Sequence, residues 1–175
     1  YIVPDVVIEH VGDQHVVMLN DAATPRLGIS PYYRRLATSG DGLAPETAAF
    51  LSDRLRSALW VMRCVEQRRS TLYKVVQALA DRQAAFLARG LRHLRPMTLK
   101  DVAEMVGVHE STISRAVANK YVQTPQGAFA LKFFFASAIA GTTTGADVAS
   151  TSVKQVIREL IEAEDPREPH SDQKL

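Results

Sequence analysis

The sequence predicts a mainly α-helical chain with a small N-terminal β-hairpin, an extra-long helix, a winged helix-turn-helix and the start of a further helical domain. Three observations support this prediction. Residues 98–117 have the apolar spacing of two short helices joined at a glycine, residues 46–89 contain neither glycine nor proline, and paired apolar runs flank turn residues twice. We expect four parts: a hairpin and loop at 1–43, the extra-long helix at 44–93, the helix-turn-helix with its wing at 94–140, and the further domain at 150–175.

The N-terminal hairpin is predicted from two apolar runs, residues 5–11 and 14–19, which flank Gly12-Asp13. Thr38 to Gly42 is rich in small and polar residues, so we expect a loop and a domain boundary there.

The extra-long helix is predicted from apolar residues that recur in alternating steps of four and three. Pro45 suits the first helical position and Gly90 suits the residue after the last turn. Because the register continues past Arg69, the pattern favours one helix over residues 46–89; the alternative is two helices with a break at Ser70-Thr71. With Arg69 and Gln83 counted as interruptions, the apolar positions are Leu51, Leu55, Ala58, Met62, Val65, Leu72, Val76, Leu79 and Phe86.

Positive charge is concentrated in the same part of the chain. Residues 54–100 contain eleven Lys or Arg and two acidic residues, whereas residues 1–53 contain three basic and seven acidic residues. Such a band is expected where a helix runs beside phosphates, because neutralising them releases counterions. A solvated arginine-rich face is the alternative.

The helix-turn-helix prediction rests on residues 98–117. Thr98 suits an N-cap with Asp101 three residues on, and Gly107 suits a turn that needs a positive φ. A chance αα-hairpin with a glycine turn is the alternative. The apolar residues assigned to the two helices are Val102, Ala103, Val106, Val108, Ile113 and Val117.

The second helix leaves polar residues facing outward, where a recognition helix meets base edges in the major groove. Arg115 is expected to bind guanine through both arms of its guanidinium, or alternatively a phosphate. Glu110 is either an acceptor for a cytosine amino group or a helix N-terminal charge that favours the dipole. The predicted DNA-binding residues are Thr98, His109, Glu110, Ser111, Thr112, Ser114, Arg115, Lys120 and Lys132.

A second hairpin is expected directly after this helix, with Thr124-Pro125-Gln126-Gly127 as its turn. A β-hairpin in this position is a wing. Lys120 and Lys132 flank it as phosphate contacts or as solvated surface lysines. The run Phe133 to Phe135 is expected in the core, followed by a flexible break at residues 141–145, a helix over residues 152–164 and a linker at residues 166–169.

The composition argues against several other classes. No apolar run approaches the length of a membrane span, and there is no signal peptide. The single cysteine, Cys64, excludes an internal disulfide and fits the cytoplasm. The histidines are scattered without zinc spacing, and a recombinase using Arg115 and Tyr121 would place both on a recognition helix and its wing. We therefore predict no catalytic residue, metal or cofactor.

Motif residues of one known family occur at their spacings along almost the whole chain. They are His109 to Arg115, Lys120-Tyr121, Thr124-Pro125, Gly127, Phe129, Leu131 to Phe134, Tyr1 to Val6, Pro25 to Leu27, Gln83 to Phe86 and Pro96-Met97. Through these residues the chain resembles the sigma-54 family of bacterial transcription factors.

The resemblance implies that residues 1–43 end a domain that binds core RNA polymerase, and that the helix-turn-helix engages the GC of the downstream promoter element. It also implies an ATP-driven activator of the AAA type, acting through parts not present here. The chain begins at Tyr1 and stops where Ser171-Asp172 suggests a new helix, so we expect a piece of a longer protein. The alternative is a freestanding winged helix-turn-helix repressor that dimerises through its long helix.

Overall fold

The computed structural model describes residues 2–12, 14–22, 26–39, 44–135, 138–139 and 148–162. The chain is mainly α-helical, as predicted, and has a small sheet near its N-terminus. It divides into two compact units: residues 1–20 together with 72–175, and residues 21–71.

The larger unit contains a four-stranded sheet. Strand β1 (Val6–Val11) pairs antiparallel with β2 (Gln14–Leu19), in the hairpin that the sequence predicts. Strand β3 (Tyr121–Thr124) pairs antiparallel with β4 (Gly127–Ala130), which confirms the second hairpin.

The two hairpins share one sheet. The strand order is β2-β1-β3-β4, and β1 runs parallel to β3 with Val6 opposite Val122. The two hairpins are predicted in different parts of the chain, at residues 1–43 and 94–140. In the structure the N-terminal hairpin and the wing bury Val6, Ile8 and Val122 in one core.

The long helix α2 runs from Pro45–Arg82, a length of 38 residues, and passes through Ser70 without a break. The two-helix alternative at Ser70-Thr71 is therefore wrong. One helix over residues 46–89 is also wrong in its last turns, because the chain leaves helical geometry at Gln83 and resumes as the short helix α3 (Ala84–Arg89).

Gln83 explains this break. Its side chain is fully buried, and its amide makes two hydrogen bonds with the backbone of Arg95: Nε2 donates to the carbonyl at 2.7 Å, and Oε1 accepts from the N–H at 3.0 Å. A buried amide needs such partners, so Gln83 fixes the segment after α3 against the end of α2.

The smaller unit contains a helix that the sequence analysis misses. Helix α1 (Pro31–Ser39) has no buried residue and therefore leaves no apolar stripe in the sequence. The loop expected from Thr38 is wrong for Thr38 and Ser39, whose hydroxyls donate to the carbonyls of Arg34 and Arg35 within this helix. The rest of that predicted loop lies outside the described residues.

The core of the larger unit is aromatic at its centre. Phe86 and Phe134 are fully buried with ring centroids 5.3 Å apart, and Phe129 stacks on Phe133 at 5.0 Å. The prediction that the phenylalanine run packs inward is confirmed for Phe133 and Phe134, and Phe135 packs against the same core.

The last described helix, α6 (Ser150–Glu162), starts two residues before the helix expected at residues 152–164 and confirms it as far as residue 162; residues 163 and 164 lie outside the described residues. The expected break at residues 141–145 and the linker at 166–169 fall outside the described residues. None of the described helices combines the length and apolar character needed to cross a membrane.

Candidate nucleic-acid interface

The first helix of the helix-turn-helix is α4 (Leu99–Val106), and a capping box fixes its start. The Thr98 hydroxyl accepts from the Asp101 N–H at 3.2 Å, and the Asp101 carboxylate accepts from the Thr98 N–H at 2.8 Å. These bonds with Thr98, helped by the charges of Arg82 and Lys100, hold the pKa of Asp101 below its ordinary value of 3.8. The N-cap prediction for Thr98 is confirmed.

Gly107 makes the turn between the two helices. Its φ of 74° and ψ of 37° lie in the left-handed region, which a residue with a Cβ enters at a cost. The N–H groups of Gly107 and Val108 both donate to the Ala103 carbonyl, at 2.9 and 3.0 Å. The end of α4 is therefore closed by backbone hydrogen bonds before the second helix begins.

The second helix is α5 (Glu110–Val117), and His109 is its N-cap. The Nδ1 atom of His109 accepts from the Ser111 N–H at 3.2 Å and lies 2.9 Å from the Ser111 hydroxyl oxygen. The Nδ1 atom therefore serves as the acceptor that caps the start of α5.

The buried face of α5 determines which predicted residues point outward. Ile113 is fully buried and Val117 nearly so. With 3.6 residues per turn, Ser111 and Arg115 lie on the opposite face, one turn apart, and Thr112 lies beside them. All three are exposed, and the Arg115 guanidinium has no hydrogen-bond or ionic partner among the described residues. It is therefore available to a ligand.

Four predicted residues line a shallow cavity on one flank of α5. Glu110 and Ser114, one turn apart, face Thr98 at the start of α4 and Lys132 after the wing, around a volume of about 330 Å³. Glu110 is the first residue of α5, where a negative charge favours the helix dipole. Its position thus fits the dipole role, and its contact with cytosine stays a prediction.

Lys120 does not line this cavity and is paired with Asp5. Its ammonium lies 2.6 Å from a carboxylate oxygen of Asp5, and both side chains are little more than a quarter exposed. Lys120 therefore holds the wing to the N-terminal segment and is not a freely solvated surface lysine, while its contact with a phosphate stays a prediction.

The wing tip is also anchored. Gln126 in the turn donates from Nε2 to the Leu87 carbonyl at 3.0 Å, which ties the turn to the end of α3. Gly90 has a φ of 87°, and a Cβ there would meet the Gln126 side chain at 3.4 Å. The wing is thus packed against its own unit through its turn.

The basic band is largely on the surface. Of its eleven Lys and Arg, only Arg69 is half-buried, and it pairs with Asp21 at 2.6 Å. Arg92 pairs with Glu159 of α6, and Arg56 pairs with Asp53 within α2. The band members that make no ion pair with another described residue are Arg54, Arg63, Arg68, Lys74, Arg82, Arg89 and Arg95.

Sequence reasoning misses three residues that shape this interface. Asn119 adopts a φ of 54°, the left-handed turn between α5 and the wing. Asp5 and Gln83 hold the wing and the segment before α4. Only Gln83 leaves a local signal, because it is a polar residue at a position where the apolar stripe of the long helix predicts an apolar one.

In the described part of the chain, no group of three or more His, Cys, Asp or Glu is arranged to hold a metal ion. Cys64 is exposed, and its thiol is free.

The fold and the exposed face of α5 define a DNA-binding protein of the helix-turn-helix class. Residues 48–175 match the family model described as "Sigma-54, DNA binding domain", and residues 1–33 match "Sigma-54 factor, core binding domain". The chain belongs to the sigma-54 family.

Relatives agree with this assignment. The chain is 40% identical to RNA polymerase sigma-54 factor from Azotobacter vinelandii and 43% identical to that from Xanthomonas euvesicatoria, with all of this chain covered in both. It spans 34% and 36% of those proteins, or about a third of their length. A solved structure, Aquifex aeolicus sigmaN bound to promoter DNA, matches 99% of this chain and 50% of that one with a TM-score of 0.64 at 29% identity.

Proposed function

We propose that this chain recognises the downstream GC promoter element through α5, contacts core RNA polymerase through its N-terminal part, and serves activator-dependent transcription initiation without catalysis of its own. The carrying observation is the outward face of α5. Ser111, Thr112 and Arg115 are exposed together, and Arg115 has no partner among the described residues.

The chemistry of this face fits base reading in the major groove. A guanidinium matches O6 and N7 of guanine, and hydroxyls accept or donate to any base edge. The exposed arginines of the basic band supply contacts to phosphates, which carry affinity rather than sequence preference. A GC step is the target that an arginine fork selects best.

Contact with core polymerase is proposed from the match of residues 1–33 to a core-binding family model. The relatives are about three times longer, so regulated initiation and the response to an AAA-type activator are proposed for the complete protein. The freestanding repressor alternative is set aside, because such a repressor has no reason to carry a core-binding segment.

The test uses the 175-residue chain with two duplexes that differ only in the GC element, and a pull-down with core polymerase. We expect tighter binding to the intact element and retention of the chain on core polymerase. Equal affinity for the two duplexes would contradict the recognition proposal. A chain that prefers the intact element but does not bind core polymerase would instead support the freestanding repressor.

A further inference from the structure

Asp5 has an unusual number of contacts with the start of the wing. Its Oδ1 accepts from the Lys120 ammonium at 2.6 Å and its Oδ2 from the Tyr121 N–H at 3.1 Å. Its own N–H donates to the Tyr121 carbonyl at 2.9 Å. Three polar groups of one residue are thus directed at two consecutive residues of the wing.

These two residues follow the recognition helix almost at once. Helix α5 ends at Val117, Asn119 turns the chain in the left-handed region, and Lys120 comes next. The Lys120 carbonyl also accepts from the Leu131 N–H at 2.8 Å, immediately before Lys132. Lys120 is therefore the point at which the end of α5, the wing and the segment carrying Lys132 are joined.

We infer that Asp5 is a positioning residue for DNA recognition, which sets the direction of α5 and of Lys132 by holding Lys120 and Tyr121. The inference rests on the proposed recognition of the GC element. Asp5 does not touch DNA in this account. It lies in the segment that matches the core-binding family model, so that segment also shapes the DNA-reading surface.

Between the end of α5 and the wing, the Asn119 turn is followed directly by the two residues that Asp5 holds. The Asp5 carboxylate restrains both of them, through a charge-assisted bond from Lys120 and a bond from the Tyr121 N–H. Because Asp5 and Lys120 are mostly shielded from water, their attraction is screened less than that of a surface pair.

The test measures the specificity ratio, defined as the dissociation constant for a duplex with a mutated GC element divided by that for the intact duplex. Asp5→Asn removes the charge. Glu9→Gln is the matched control, because Glu9 is an exposed acid on β1, the strand that Asp5 immediately precedes, and makes no ion pair with another described residue. We expect Asp5→Asn to lower the ratio about tenfold and Glu9→Gln to leave it unchanged.

Variants at Lys120 separate positioning from direct phosphate binding. Lys120→Gln should lower the ratio as Asp5→Asn does, and Lys120→Arg, which keeps the ion pair, should preserve it. If Lys120 instead bound a phosphate, its loss in Lys120→Gln would weaken binding to both duplexes equally and reduce the salt slope by about one. That pattern, or an unchanged ratio in Asp5→Asn, overturns the inference.

Folding is checked by thermal unfolding of each variant. If Asp5→Asn does not fold, Lys120→Gln decides the question, since it leaves the bond from the Tyr121 N–H to Asp5 in place. If the unaltered chain itself shows no preference between the duplexes, the proposed function is wrong. If the unaltered chain prefers the intact duplex and only the variants lose that preference, the result bears on the positioning role of Asp5 and not on the proposed function.

Discussion

We expect base reading to depend most directly on Arg115, because it lies opposite the buried face of α5 without a partner in the described structure. Arg115→Ala should weaken binding to the GC element by about 1–3 kcal/mol and relax preference at one base pair. Arg115→Lys is the matched control. It keeps the charge and loses the fork of the guanidinium, so compared with Arg115→Ala it should recover more of the affinity than of the base-pair preference.

Binding titrations against all four base pairs at each position of the element check this. Equal losses on specific and random duplexes in Arg115→Ala would show that Arg115 binds a phosphate instead.

The capping box makes a pH-dependent contribution to stability. Because the folded pKa of Asp101 lies below its ordinary value of 3.8, the charged carboxylate stabilises α4 above that pH, and the contribution is lost as the pH falls through the still lower folded value. Asp101→Asn should lower the free energy of unfolding by about 1 kcal/mol at neutral pH, as for loss of a cap.

Denaturant unfolding across pH 7 to about 3 measures this difference between the two proteins, which should shrink below the ordinary Asp pKa. A constant difference over that range would mean that the Asp101 charge plays no part in the cap.

At the scale of elements, the break after α2 depends on one buried amide. Gln83→Leu removes the partners of both Arg95 backbone groups while filling similar volume, so it should destabilise the larger unit by about 2–3 kcal/mol. Gln77→Leu, on α2 and hydrogen-bonded to Asp81 at an exposed position, is the control and should cost far less. Chemical denaturation gives both values, and equal costs would contradict the role of Gln83.

The long helix gives a second prediction. Since α2 is continuous at Ser70, Ser70→Pro removes a backbone donor from the helix interior and should cost about 3 kcal/mol, with a loss of helix content by circular dichroism. Ser70→Ala, which keeps the donor, should be neutral or stabilising. An unchanged spectrum in Ser70→Pro would mean that the chain tolerates a break there.

Local patterns predict elements well where an apolar face or a cap is present. The spacing of Ile113 and Val117, the Thr98 cap and the Gly107 turn are readable within a few residues, and the structure confirms them. Helix α1 has no buried face, and the partner of Gln83 lies twelve residues away, so neither the helix nor the break follows from local spacing.

At the scale of the whole molecule, contacts between residues far apart in the chain are even harder to predict from local spacing. The parallel pairing of β1 with β3 joins residues more than a hundred positions apart, and nothing near Asp5 or Lys120 indicates it. The ion pair of Lys120 could not be predicted for this reason: its neighbours in sequence indicate a basic wing, while its neighbour in space is a carboxylate.

The shared sheet leads to a prediction for truncation. Removing residues 1–20 exposes the edge of β3 and deletes the buried side chains of Val6, Ile8 and Val17 from the core. Each contributes about 1.5–3 kcal/mol by burial, so residues 21–175 should unfold at much lower temperature and less cooperatively. Calorimetry of the two chains checks this, and an unchanged transition would show that the hairpin is dispensable to the core.

The parallel pairing also has a consequence during synthesis. Asp5 leaves the ribosome 115 residues before Lys120. At about 5–20 residues per second, the hairpin waits roughly 6 to 23 seconds for the strand that completes its sheet. During that interval Val6, Ile8 and Val17 have no wing to pack against, so the nascent chain offers an apolar strand edge to chaperones. A slow stretch of translation before Tyr121 would prolong that exposure.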